Sequence, residues 1–149
     1  MSGDKEEKPQ ISVGKLVKKE ELLSSSLIHK DALNKIKDGE NYLVISIPGK
    51  DILKLNIFAT IHSVITKVLI ELVEFAPQTV EGIGDVLTEF EICDSIIHTT
   101  GLCFSGVNCF YESYVDMNVL EKKDFSIDKI KEAFLKIENV KSVELIPIK

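Results

Sequence analysis

His98, Cys103 and Cys109 fall close together in the chain. Imidazole and thiolate are the side chains best suited to hold zinc or to form a base–nucleophile pair. Their spacing matches no zinc module, however, and no CxxC is present. With Cys93 the thiols are odd in number, so buried, reduced cysteines are expected, with neither a disulfide framework nor a metal centre. Asp85, Glu89, Glu91 and Asp94 supply carboxylates of the kind acid–base catalysis uses. Spread along one segment, they read instead as solvated helix and strand ends. Gly82 and Gly84 interrupt a helical pattern, where each costs up to about 1 kcal/mol relative to alanine, so close helix packing, or the approach of a ligand or subunit, is expected there. The pattern is neither GxGxxG nor a phosphate-binding loop, so no nucleotide and no cofactor is expected.

All 18 basic residues are lysine, set against 24 acidic ones, for a net charge of −6. Lacking arginine, the chain has no planar fork for bidentate contact with phosphate or guanine. Residues 1–60 hold 10 lysines and 9 acids, residues 61–149 hold 8 lysines and 15 acids, so only the first part could approach a polyanion. An acylphosphatase-like enzyme is excluded, because that chemistry holds phosphate with arginine.

The elements that must position these residues follow from period. Residues 63–74 (SVITKVLIELVE) form a β-branched strand with Val68, Ile70 and Leu72 on one face. After Pro77 the apolar positions become Val80, Ile83, Leu87 and Phe90, a helical stripe, with Pro77 in the first turn, where a missing N–H costs nothing. Two extended runs follow, 92–98 and 107–117, joined as a hairpin by TTGLCFSG. Val107, Cys109, Tyr111, Ser113, Val115 and Met117 share one face of the second run. Asp124 or Ser126 caps a helix with the stripe Ile127, Ile130, Phe134 and Ile137, and residues 140–148 close the chain as a strand. This βαββαβ order over residues 61–149 predicts a ferredoxin-like α+β domain with two helices on one sheet face. The other face is left half apolar and calls for a second sheet or subunit.

Residues 11–60 read as a small, mostly-β module: extended runs at 11–17 and 22–28, a short helix near 30–36, then strands at 42–47 and 52–58 about a Pro48-Gly49-Lys50-Asp51 turn. So small a unit needs a partner or a fused domain. Residues 1–10 (MSGDKEEKPQ) read as a solvated tail. The N-terminus lacks the apolar core of a secretory signal and no run is long enough to span a bilayer, so a cytoplasmic protein without membrane contact is expected.

VEFAPQTVEGIGDVLTEFEI, continuing to CDSIIH, resembles the signature of ACT domains, and Pro77, Val80, Ile83 and Leu87 fit its offsets. ENVKSVELI resembles that family's closing turn and last strand. The resemblance implies a small-molecule site at the strand-to-helix corner of Phe75, Ala76, Pro77, Gln78, Thr79 and Val80, facing Asp94 and Ser95 of the second strand or of a neighbouring subunit. Gln78 stands at the family's loop glycine, Phe75 and Ala76 at its acid and arginine, and Cys93 at a frequent asparagine, departures that count against an amino acid and leave a more apolar ligand, or none, as the alternatives. LIHKDALNKIKDGENYLVISIPGKDILKL resembles the AbrB/SpoVT/MazE swapped-hairpin fold, with His29 where that family prefers proline. That resemblance implies two chains interlacing as a homodimer, with Lys15, Lys18, Lys19 and Lys30 facing DNA. The expectation is therefore a non-catalytic transcriptional regulator with a sensing or assembly domain. Its alternative is a stand-alone ACT-type subunit regulating a metabolic enzyme or transporter.

Overall fold

The computed structural model describes residues 10–61, 63–104, 108–116 and 126–148. Most of the N-terminal tail, Met117, the Ser105-Gly106-Val107 portion of the hairpin and the candidate cap Asp124 lie outside these residues. The chain is α+β, built on two antiparallel sheets.

The first sheet runs β1 (Val13–Lys18), β2 (Asn41–Pro48) and β3 (Leu53–Thr60) in that order, with β2 in the middle. Between β1 and β2 lie two short helices, α1 (Lys19–Leu23) and α2 (Lys30–Leu33). The run 22–28, read from its sequence as extended, begins inside α1. Glu20 and Glu21 occupy that helix's first turn, where acidic side chains favour the N-terminal dipole, and Leu22 is buried beneath it. Leu22, Leu33 and Tyr42 form a small core under the two helices, with Val17, Ile36 and Ile57 against it.

The second sheet contains β4 (Ile65–Leu72), β5 (Ile96–Phe104), β6 (Asn108–Asp116) and β7 (Val140–Ile148), in the spatial order β5-β6-β4-β7. The helices α3 (Pro77–Glu89) and α4 (Ile127–Leu135) connect its strands. Ile83, Val86, Leu87, Ile130 and Phe134 pack on Val68, Ile70, Leu72, Cys109, Val115 and Val143, the main core. The period therefore located this face, except that Val80 and Ile127 at the starts of the two stripes are exposed. Ser126 stands at the N-cap of α4 without a side-chain cap bond.

The second hairpin differs from its sequence reading. Residues 93–95 form one 3-10 turn, and the strand starts at Ile96 and continues through Gly101 to Phe104, paired Thr99↔Ser113 through Phe104↔Asn108. Glu91 with φ 55° and the bond from the Ile92 amide to the Leu87 carbonyl (2.8 Å) end α3 tightly and delay the strand. Gly101 sits within the ladder and does not turn the chain. Cys103 and Cys109 are cross-strand partners joined as a disulfide, while Cys93 is free and exposed, so buried, reduced thiols are not what the fold contains.

The helix-free face of the second sheet is covered by the chain itself. Leu43 and Ile45 of β2 pack on Ile65, Tyr114 and Ile148, joined by Leu16 and Phe58. Gly14 lies against the Tyr114 ring so closely that a β-carbon would overlap it. At the far end of this face, Leu102 and Phe104 remain exposed.

Candidate functional site

Among the described residues, the strand-to-helix corner after β4 carries the richest geometry. Ala76 is the N-cap of α3 and Pro77 its first residue, as the missing N–H permits. The amides of Thr79 and Val80 both turn back to the Ala76 carbonyl (3.0 and 3.1 Å). Because proline has no N–H, the first turn offers an anion at most the Gln78 amide, one donor where a carboxylate site needs several.

Thr79 points inward. Its side chain is fully buried, its hydroxyl donates to the Glu138 carbonyl (3.2 Å) and it accepts from Asn139 Nδ2 (3.1 Å). Asn139 takes φ 72° in the turn between α4 and β7, so Thr79 ties the start of α3 to that turn. Gly82 serves the same seam, since a β-carbon there would stand 2.9 Å from Ile137 Cγ2. The close packing expected at the glycine pair is thus the role of Gly82. A β-carbon on Gly84 would meet nothing within 4 Å.

Gly84 instead faces a cavity of about 240 Å³ lined by Phe75, Val80, Ile83, Leu87 and Tyr111. Its walls are almost wholly apolar, with the Tyr111 side chain from β6 as floor. The Phe75 ring lies over Gly101 of β5 and closes one side. Size and lining suit a small, predominantly apolar molecule.

The sequence-derived site divides accordingly. Phe75 and Val80 line the cavity, Ala76 and Pro77 shape the corner, Gln78 is exposed beside it and Thr79 is structural. Asp94 and Ser95 lie beyond the opposite end of α3, about 18 Å along its thirteen residues, so within one chain the structure does not bring them to the corner. Ile83, Leu87 and Tyr111 were not assigned to a site by sequence, and Gly84 only as one of a glycine pair open to close packing or to ligand approach. The helical stripe and strand alternation placed three of them on core-facing positions, but a gap between helix and sheet has no sequence signal.

The other candidates meet ordinary surroundings. Cys103 and Cys109 bind each other, while His98 bonds Thr100 Oγ1 (2.9 Å) and packs its ring 5.5 Å from that of Phe58. Asp85, Glu89, Glu91 and Asp94 are exposed. Of the lysines considered for DNA, Lys19 pairs with Asp38 (2.5 Å), which raises the lysine pKa and lowers that of the carboxyl through their hydrogen bond. Lys15, Lys18 and Lys30 are exposed.

One further cluster was not visible in the sequence. Lys67 and Glu112 face each other at 3.1 Å, essentially without solvent exposure. Glu112 accepts the amides of Ile11 (2.6 Å) and Ser12 (3.0 Å) and the Ser12 hydroxyl (2.5 Å). Lys67 also donates to Gln10 Oε1 (2.6 Å) and the Ser12 carbonyl (2.5 Å), and Ser12 Oγ meets Tyr114 Oη at 2.8 Å. Burial pulls the Lys67 ammonium below its ordinary value against the opposing pull of Glu112. Burial likewise pushes the Tyr114 phenol up to about 12. These bonds fasten residues 10–12 across the second sheet.

Fold and site together define an α+β protein of two stacked antiparallel sheets with an apolar cavity beneath one helix. No protein-family model matches the chain, and no curated protein matches it.

Proposed function

We propose that this chain is a non-catalytic regulatory protein that binds a small, predominantly apolar molecule between α3 and β6. The observation that carries this reading is the 240 Å³ cavity lined by Phe75, Leu87 and Tyr111, where a β-carbon at Gly84 would meet no neighbour within 4 Å. The strand order β5-β6-β4-β7 with two connecting helices supports a ferredoxin-like, ACT-type arrangement for residues 65–148. The poverty of free amides at the corner favours an apolar body over a carboxylate as the recognised group. Calorimetric titration with L-phenylalanine, L-leucine and indole tests the reading. Binding of at least one probe, abolished by Gly84→Leu, is expected; no heat from any of the three contradicts it.

A second reading, resting on the sequence resemblance of residues 27–55 to the AbrB-type module, gives the first sheet and its helices a DNA-contacting role through Lys15, Lys18 and Lys30. Their exposure favours it, and the net charge makes such binding weak and steeply salt-dependent. Fluorescence anisotropy on duplex DNA at low and physiological salt separates the two readings. Loss of binding on replacing these lysines with alanine selects DNA contact.

A further inference from the structure

The outer face of the first sheet is only half covered. Its register aligns Val13, Ser46 and Leu55 in one row and Lys15, Val44 and Ile57 in the next, with Pro48 and Leu53 beyond. The two short helices cover the Tyr42 end. At the other end Val13, Leu53 and Leu55 are 58%, 61% and 44% exposed, and Leu27, at 88%, overhangs the same surface. Beside them a groove of about 270 Å³ lies between Leu27 and Leu22 of the helical segment and Val44 and Leu55 of the sheet, with Lys15 and Glu21 also on its walls.

Large side chains gathered this way on one sheet face mark an interaction surface, because scattered exposure would not align them in register. Charge selects the occupant. Residues 61–149 are strongly acidic and repel another copy, whereas residues 1–60 are nearly neutral and present one charge of each sign at this groove. A two-fold axis through the groove would bring Lys15 of one copy toward Glu21 of the other, twice over, so one charge of each sign lets the face complement itself. We infer that this face is the interface of a homodimer, with Leu53, Leu55, Val13 and Leu27 at its apolar centre. This inference is independent of the ligand site on the opposite side of the molecule.

The test is sedimentation of the full chain from 1 to about 100 μM, a range that brackets ordinary dimer affinities. The native protein is expected to dimerise, and Leu53→Lys with Leu55→Glu to be monomeric throughout, a loss of at least about 100-fold in affinity, with unchanged far-ultraviolet circular dichroism. Because both leucines are exposed within one chain, their replacement leaves its core intact. Lys15→Glu and Glu21→Lys are each expected to weaken the dimer about tenfold, and the double swap to restore it. A native protein that stays monomeric, a dimer untouched by the leucine changes, or a double swap that restores nothing overturns the inference.

Discussion

Lys67 and Glu112 sit on adjacent strands in a position where an unpaired charge would be costly, and residues 10–12 supply the donors and acceptors that complete them. Lys67→Met is expected to lower stability by about 3–5 kcal/mol in urea denaturation, because Glu112 then keeps its charge without a counter-ion. Adding Glu112→Leu should recover much of that loss. Tyr114 gives this cluster a pH signature. Its phenol is held up to about 12, above the ordinary 10.0, so between these values the folded chain keeps a proton that the unfolded chain has released. Stability from this group is complete below pH 10 and is lost as pH rises toward 12, on the order of 2 kcal/mol in all. Lys67, with its lowered value, acts in the opposite sense, gaining stability with pH below 10.5. The clean readout is therefore the difference between the native protein and Tyr114→Phe, whose stability should fall less steeply over pH 10–12. Strand alternation put Glu112 and Tyr114 on the face opposite Cys109 and Tyr111. What sequence could not supply was the register Lys67↔Tyr114 and Leu69↔Glu112 that gathers the cluster, nor the chain segment that closes over it.

Period located α3 and α4 and the core-facing residues of β4, because these press on a large core that demands apolar residues at fixed intervals. It failed where local signals competed with tertiary ones. Gly101 reads as a turn residue, yet pairing with Tyr111 keeps it in β5, and LLSSSLI reads as extended although Leu22 is buried through a helix. The glycine pair of α3 separates two roles that sequence left joined. Gly84→Ala is expected to raise stability by about 0.5–1 kcal/mol, since the helix gains a better former and the new methyl meets nothing. Gly82→Ala should lower it, as Ile137 must move to admit the methyl. Thermal unfolding of the two variants gives opposite signs if the packing is as described. A shift of the same sign in both would place the two glycines in like surroundings.

At the scale of the molecule, the two sheets share a core. Leu43 and Ile45 from one and Ile65, Tyr114 and Ile148 from the other bury the same interface. Sequence required a cover for the helix-free face, and the chain's own first sheet supplies part of it. Backbone amides of the two sheets should therefore lose protection from hydrogen exchange in one cooperative step, and Leu43→Ala, costing about 2–5 kcal/mol, should destabilise both alike. The cavity under α3 lies on the far side of that core, away from both the shared interface and the exposed face of the first sheet. Its occupancy is tested most directly by amide chemical-shift mapping of the full chain titrated with L-phenylalanine and indole. The account predicts saturable shifts concentrated at Phe75, Val80, Gly84 and Tyr111, absent in Gly84→Leu. Shifts centred on any other surface, or none at millimolar probe, would contradict it.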